Sequence, residues 1–254
     1  MSLESSIAAL TQQAGLLMDL PQQVNAAAQA QIASMGAAYQ SHIAGLSVSA
    51  YVDQINGLDT NSGALATPFK TIEKALSITP RGGFCCVLLK SDYTLTGDIT
   101  VDGVHLSIVS DSSIKRALTF ERQLLTAFTP ALRAVRQFKL SSGSLNLSGL
   151  TINFPFIDGD WGNYAPANSH IVGGNGSYQW RPIDVTVFNC NVNIPASPFC
   201  SFIQSAVLAD LHWYGNTLTG AVTSVNGRLL ADQTNTAGVD TTTLPYLRTT
   251  LSTI

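Results

Sequence analysis

Charged side chains are scarce in this sequence of 254 residues. Asp, Glu, Lys and Arg together make up only 11% of it, whereas a soluble domain usually carries about a quarter. The 13 basic residues are scattered and the formal net charge is −3. This distribution argues against a nucleic-acid-binding protein, which needs a concentrated positive surface. Few charges favour a surface of short polar side chains, or one covered by other subunits.

Long apolar runs are also absent. No stretch reaches the roughly 20 apolar residues needed to cross a bilayer, so we expect no membrane insertion. The first ten residues, MSLESSIAAL, lack the basic start and the apolar core of a signal peptide. We therefore expect a protein that is made in the cytoplasm and either stays there or leaves inside a larger particle.

Metal-ligand spacings are missing as well, and we predict no metal and no cofactor. The four cysteines match no zinc motif and are interpreted as small, reduced apolar residues: Cys85, Cys86, Cys190 and Cys200. The four histidines are widely spread: His42, His105, His170 and His212. Alternation with apolar neighbours predicts that His105 and His212 point outwards, while His170 lies in an aromatic loop and is the one histidine of functional interest.

Residues 1–46 form a segment of their own, rich in Ala and Gln, that predicts two helices. The first carries a heptad seam typical of coiled coils: Leu3, Ile7, Leu10, Ala14 and Leu17. The second is expected to start near Pro21, with Asp19 as its cap, and has a thinner stripe: Ala28, Ile32, Met35, Tyr39 and Leu46. Such helices need partners, and copies of the same segment in a parallel homotrimer are preferred over a hairpin that caps the rest.

An apolar pattern with steps of two, three, two and two residues recurs between residues 99 and 218, with a weaker fourth copy. The copies are Ile99, Val101, Val104, Leu106 and Ile108; Leu145, Leu147, Leu150, Ile152 and Phe154; Val185, Val187, Cys190, Val192 and Ile194; and Leu211, Trp213, Asn216 and Leu218. A step of two is strand alternation, and the step of three predicts a corner between strands. Because such units bury their apolar faces only by stacking on copies, the pattern predicts an all-β parallel β-helix, with starting residues 46, 40 and 26 positions apart.

A resemblance to a known family begins at Tyr51. The stretch YVDQINGLDTNSGALATPFKTIEKAL combines a turn-rich loop with a short helix expected from Thr67-Pro68, and an apolar strand and YTLTGDITV follow. It resembles the opening of right-handed, pectin-lyase-like β-helix proteins. With the helical N-terminal segment, the whole resembles the tail fibres and tailspikes of bacteriophages. That resemblance implies a homotrimeric virion protein whose N-terminus attaches to a tail or baseplate protein and whose β-helix contacts a receptor on the host surface.

The candidate receptor- or glycan-binding residues lie in a long Gly- and Asn-rich loop, residues 155–182. They are four aromatic residues, expected to stack on a ligand, and two carboxylates, expected to make polar contacts: Trp161, Tyr164, Tyr178, Trp180, Asp158 and Asp160. The carboxylates are also the candidates for polysaccharide cleavage, which needs two such groups. Asp184 and Asp210 are expected to start stacked strands and could form a second pair.

Three functions remain open at this point. Adhesion to the host surface is preferred, a polysaccharide depolymerase on the same scaffold is the enzymatic alternative, and a structural tail component without a receptor is the third. The predicted organisation is a helical stalk for virion attachment at residues 1–46, a β-helix at 47–232, and a cap or subunit-exchanged tail at 233–254.

Overall fold

The computed structural model describes residues 2–126, 132–155, 170–174, 183–195, 201–203, 209–220 and 247–249. The chain divides into two compact units, Met1–Gly45 and Leu46–Ile254. The first unit is helical, and the second consists mostly of β-strands in parallel sheets.

A single helix, α1, spans Leu3–Gly45. Its 43 residues include Pro21 in the interior, so the prediction of two helices separated at Asp19 is wrong. Proline lacks the N–H of one helical hydrogen bond, but the Ala, Gln and Leu residues on both sides favour helix strongly enough to continue it. No residue of α1 is buried.

The second unit contains one short helix, α2 (Ile72–Ser77), and a succession of strands. The described strands are β1 (Ser47–Val52), β2 (Phe84–Leu89), β3 (Tyr93–Leu95), β4 (Ile99–Ser110), β5 (Ala117–Phe120), β6 (Arg122–Leu125), β7 (Leu132–Val135), β8 (Phe138–Ser148), β9 (Thr151–Asn153), β10 (His170–Gly174), β11 (Ile183–Phe188), β12 (Asn191–Ile194), β13 (Ser201–Ile203), β14 (Ala209–Tyr214), β15 (Thr217–Gly220) and β16 (Leu247–Thr249).

Two parallel sheets take up nearly all of these strands. The larger sheet has the order β1-β2-β4-β8-β11-β14-β16, with β10 and β13 beside this path, and the smaller has the order β15-β12-β9-β5-β3. Among the described strands, only β6 and β7 pair antiparallel, and they form a separate hairpin. The chain passes repeatedly from the larger sheet to the smaller one and back, and both sheets contribute to a single hydrophobic core.

The last three copies of the apolar pattern stack in the predicted register. Leu145 lies beside Val185, and Val185 beside Leu211, while the second halves of the copies align in the smaller sheet. In each copy, the step of three residues is a corner with one residue of positive φ. These corner residues are Gly149 (φ 63°), Asn189 (φ 52°) and Gly215 (φ 67°).

The first copy is aligned differently from the prediction. Leu106, not Ile99, lies beside Leu145, and Ile99 lies beside Phe138, so the repeat distance is 39 residues rather than 46. The step of three in this copy is a β-bulge inside the continuous strand β4. Gly143, with φ 105°, faces the bulge. The pattern alone could not distinguish a bulge from a corner, because both insert one residue between inward-facing side chains.

The turn-rich loop before α2 is held by its acidic side chains. Oδ1 of Asp59 accepts hydrogen bonds from the backbone N–H groups of Lys70 and Thr71, at 3.0 and 2.9 Å, and Thr71 caps the helix. Phe69 pairs with Val52 in extended backbone. The short helix therefore begins later than the predicted Thr67-Pro68.

The C-terminal strand β16 extends the larger sheet. Its residues pair in parallel with Ala209–Leu211 of the same chain. The choice between a cap and a subunit-exchanged tail for residues 233–254 stays a prediction, because the rest of this segment lies outside the described residues.

Candidate functional site

The loop singled out in the sequence lies outside the described residues. Asp158, Asp160, Trp161, Tyr164, Tyr178 and Trp180 all belong to the ranges 156–169 and 175–182. Their assignment to receptor binding stays a prediction.

The outward side chains of β11 and β14 form an exposed surface, which we call the outer face. Neighbouring strands bring Phe188 beside Tyr214, with ring centroids 4.9 Å apart and planes inclined by 37°. The two residues are 42% and 48% exposed. Neither residue was predicted as a binding residue, although each directly follows a core position of the pattern and strand alternation makes such positions face outwards.

Polar residues occupy the same face at two-residue intervals from the rings. Asp184 lies beside Asp210, as predicted, and Thr186 lies beside His212. Nε2 of His212 is 3.5 Å from Oδ1 of Asp210, whereas Asp184 is exposed. These groups offer hydrogen-bond donors and acceptors next to an apolar surface.

The two histidines expected to face outwards do so. His105 is exposed on β4, and its Nδ1 lies 2.9 Å from Oγ of Ser144 on β8. The side chain of His212 is 44% exposed. Both strands keep the alternation that the sequence predicted.

His170 is not a surface residue, although the sequence placed it in a binding loop. It begins β10 and is 1% exposed. Burial lowers the pKa of its imidazole to about 4, and the nearby Lys139 ammonium contributes in the same direction, against the effect of Asp98. His170 is therefore a neutral core residue near pH 7.

A groove of about 460 Å³ lies between α2 and β4. Its lining residues include three carboxylates and one guanidinium: Glu73, Asp98, Asp102 and Arg81. Leu76 and Val104 give it an apolar part, and hydroxyl groups complete it. This groove was not predictable from the sequence, because it depends on the distance between α2 and a strand that begins more than 20 residues later.

Each carboxylate in the groove has a partner. Oδ2 of Asp98 is 2.7 Å from Nζ of Lys139, and Oδ1 of Asp102 is 3.2 Å from the Arg81 guanidinium. The Tyr93 hydroxyl donates to Oε2 of Glu73 at 3.2 Å. Burial raises the pKa of Tyr93, and the Glu73 carboxylate raises it further, so this hydroxyl keeps its proton.

The described cysteines, Cys85, Cys86 and Cys190, are free thiols. Burial raises the pKa of each thiol, so none is an activated nucleophile. The described ranges contain no group of three or more His, Cys, Asp or Glu side chains arranged to hold a metal ion.

Comparisons with models of protein families, with curated proteins and with solved structures found no match to this chain. Within the described part of the chain, no helix combines the length and the apolar character that crossing a membrane requires.

Proposed function

We propose that this chain is a homotrimeric tail fibre, tailspike or baseplate protein of a bacteriophage, which attaches to the virion through α1 and adheres to the host cell through its β-rich unit. The observation that carries the proposal is a helix of 43 residues with no buried residue. Isolated helices gain most of their stability from packing an apolar face, so α1 calls for partner helices.

The exposed apolar residues of α1 support copies of the same helix as those partners. The predicted seam residues Leu3, Ile7, Leu10 and Leu17 are 79%, 55%, 65% and 68% exposed, and Ala14 is exposed too. Because α1 continues through Pro21, the seven-residue spacing reaches Val24, which is 61% exposed. A seam of this kind is buried when identical helices wind around each other.

The second half of α1 offers a thinner apolar stripe. Ile32, Met35 and Tyr39 are 70%, 65% and 65% exposed, and they extend the proposed contact between copies. The surrounding Ala residues allow close approach of the helices. The same segment would attach to a tail or baseplate protein, as the resemblance to tail fibres implies.

The β-rich unit is proposed to be a right-handed β-helix. In support, its strands alternate between two parallel sheets, neighbours in each sheet follow in chain order for most of their length, and one core lies between the sheets. Connections between parallel strands of one sheet are right-handed in nearly all proteins. A trimer of such units would present several copies of any binding surface, so that weak contacts add up through effective concentration.

The trimer is tested by the molar mass in solution. Light scattering on the full chain should give three times 26.9 kDa. The double variant Ile7→Glu with Leu10→Glu places two carboxylates per helix in the proposed seam and should give a smaller mass. The matched control, Ser5→Glu with Gln12→Glu, adds the same charge on the opposite side of the helix and should stay trimeric. A monomeric wild-type chain, or equal masses for both variants, would contradict the stalk.

The assignment to a virion is tested separately. Antibodies raised against the purified chain should label the tails of the phage that encodes it and block adsorption to the host. Labelled tails without inhibited adsorption would favour the structural component. Absence of the chain from purified virions would overturn the assignment.

The rival function is a polysaccharide depolymerase, and the groove beside α2 is the observation that favours it. Glu73, Asp98 and Asp102 line the groove, and glycoside hydrolysis uses a pair of carboxylates. Release of reducing ends from host polysaccharide by the wild type, and its loss in Glu73→Gln, would establish this activity. Ser77→Ala, a change on the same side of the groove without a carboxylate, is the control.

A further inference from the structure

The outer face carries an aromatic pair that the core does not need. Phe188 and Tyr214 are each nearly half exposed, and their rings, tilted by 37° and 4.9 Å apart, join two neighbouring strands. The described residues provide no hydrogen-bond partner for the Tyr214 hydroxyl, which is free to bind a ligand. Exposed large apolar groups beside polar ones are typical of binding surfaces.

The groups around the rings can bind hydroxyls. Thr186 and His212 lie two residues from the rings along their strands, and Asp184 and Asp210 lie four residues away. At about 3.3 Å per residue, these rows are roughly 7 and 13 Å from the rings. The array is therefore long enough for two to three sugar rings in a row.

We infer that the Phe188–Tyr214 pair is the stacking platform of a binding site for neutral polysaccharide. Pyranose rings have an apolar face of C–H groups that packs flat on an aromatic ring, while their hydroxyls bond to carboxylates, imidazoles and threonine. This inference rests on the proposed adhesion function and names its ligand class.

Electrostatics selects a neutral ligand over an acidic one. Asp184 is exposed and has no ion pair among the described residues, and its rows on β4, β8, β11 and β14 include no Lys or Arg. The nearest basic residue in register is Arg248 on β16, which pairs with Asp210 and lies on the far side of β14 from Asp184. A chain of uronic acids would meet the exposed carboxylate of Asp184 here, and like charges repel at short range.

A second protein surface fits this face less well. Stable protein interfaces bury more than about 1,000 Å² with an apolar centre. Among the residues that the structure describes, the nearest other exposed aromatic on this sheet face is Phe84 on β2. Strand β2 lies three strands from β11, or about 14 Å at 4.8 Å per strand. Two rings surrounded by polar groups suit a narrow ligand.

The test uses the full chain and a panel of immobilised polysaccharides: dextran, mannan and galactan as neutral probes, and alginate and hyaluronate as acidic ones. We expect retention on at least one neutral probe and weaker retention on the acidic probes. Phe188→Ala with Tyr214→Ala should weaken binding on the order of tenfold or more, as for the loss of buried aromatic anchors. Phe84→Ala, a matched change of an exposed aromatic on the same sheet face, should bind like the wild type.

Several outcomes would overturn the inference. These are no retention on any neutral probe, stronger retention on alginate or hyaluronate, and equal losses in the double variant and in Phe84→Ala. A lower molar mass of the double variant, with unchanged glycan binding, would show that the pair is a contact between subunits. Glycan binding by a chain that is monomeric would refute the proposed trimer and leave the platform standing.

Discussion

Acidification should destabilise the protein through His170. This imidazole is 1% exposed, and its Nδ1 is buried without a hydrogen-bond partner. Burial lowers its pKa from 6.5 to about 4. Because its pKa is lowered, His170 stays neutral in the folded state while the unfolded chain takes up a proton. The free energy of unfolding therefore has its full value well above pH 6.5 and falls as the pH drops towards 4.

The size of the effect follows from the difference in pKa. A pKa shift from 6.5 to about 4 lowers the free energy of unfolding by about 3 kcal/mol once the pH is below both values, at 1.36 kcal/mol per pKa unit. At pH 4.5 the loss should be about 2.5 kcal/mol. The ion pair of Asp98 and Lys139, at 2.7 Å, also acts on the pKa of His170. The wild type and the histidine variants all retain this ion pair, so its own titration cancels when their pH dependences are compared.

The assay is urea unfolding at fixed protein concentration, followed by tryptophan fluorescence, at pH 7.5 and pH 4.5. The wild type should lose about 2.5 kcal/mol more between these pH values than His170→Gln, whose amide does not titrate. His105→Gln replaces an exposed histidine and should retain the wild-type pH dependence. If His170→Gln and the wild type lose the same free energy of unfolding, His170 is accessible to water and the reasoning fails.

Further predictions concern packing and backbone. Gly143→Ala should lower the free energy of unfolding by about 3 kcal/mol or more, because φ is 105° and a Cβ would strike the Val104 carbonyl oxygen. Gly149→Ala should lower the free energy of unfolding by only about 1 kcal/mol, since φ is 63° and no atom lies within 4 Å of the added Cβ. Equal losses of unfolding free energy in the two glycine variants, measured by urea unfolding, would contradict the described bulge. Leu147→Ala, at a fully buried position, should lower the free energy of unfolding by about 2–5 kcal/mol. The control Leu124→Ala, at an exposed position, should lower it by less than about 0.5 kcal/mol. Pro21→Ala should raise the melting temperature of α1 in circular dichroism, because it restores a helical hydrogen bond; an unchanged melting curve would oppose a continuous helix.

Regular periodicity made much of the fold predictable. Val185 and Leu211 could be aligned from the sequence alone, because their copies repeat the same steps and stacked strands place equal residues side by side. The helical conformation of residues 3–17 was equally predictable, since helical spacing is a local property, whereas the heptad seam between copies stays a prediction. The outward positions of the same strands, such as Phe188 and Tyr214, follow from strand alternation in the same way, but they were not predicted as a binding surface.

Irregular features could not be read in the same way. The bulge at Gly103 looks like the corner at Gly149 in sequence, and only the pairing with β8 distinguishes them. Pro21 is a plausible helix start, yet the helix continues, because local preferences of a few residues compete with those of a long favourable context.

The sequence by itself determined a helical segment followed by a β-rich unit, since periods of seven and of two are imposed by backbone geometry alone. Tertiary structure alone decided the contacts outside the repeated apolar positions. The contact of Phe188 with Tyr214, the groove beside α2 and the burial of His170 all join residues far apart in the chain. Such contacts depend on how whole elements pack in space, which no local pattern encodes.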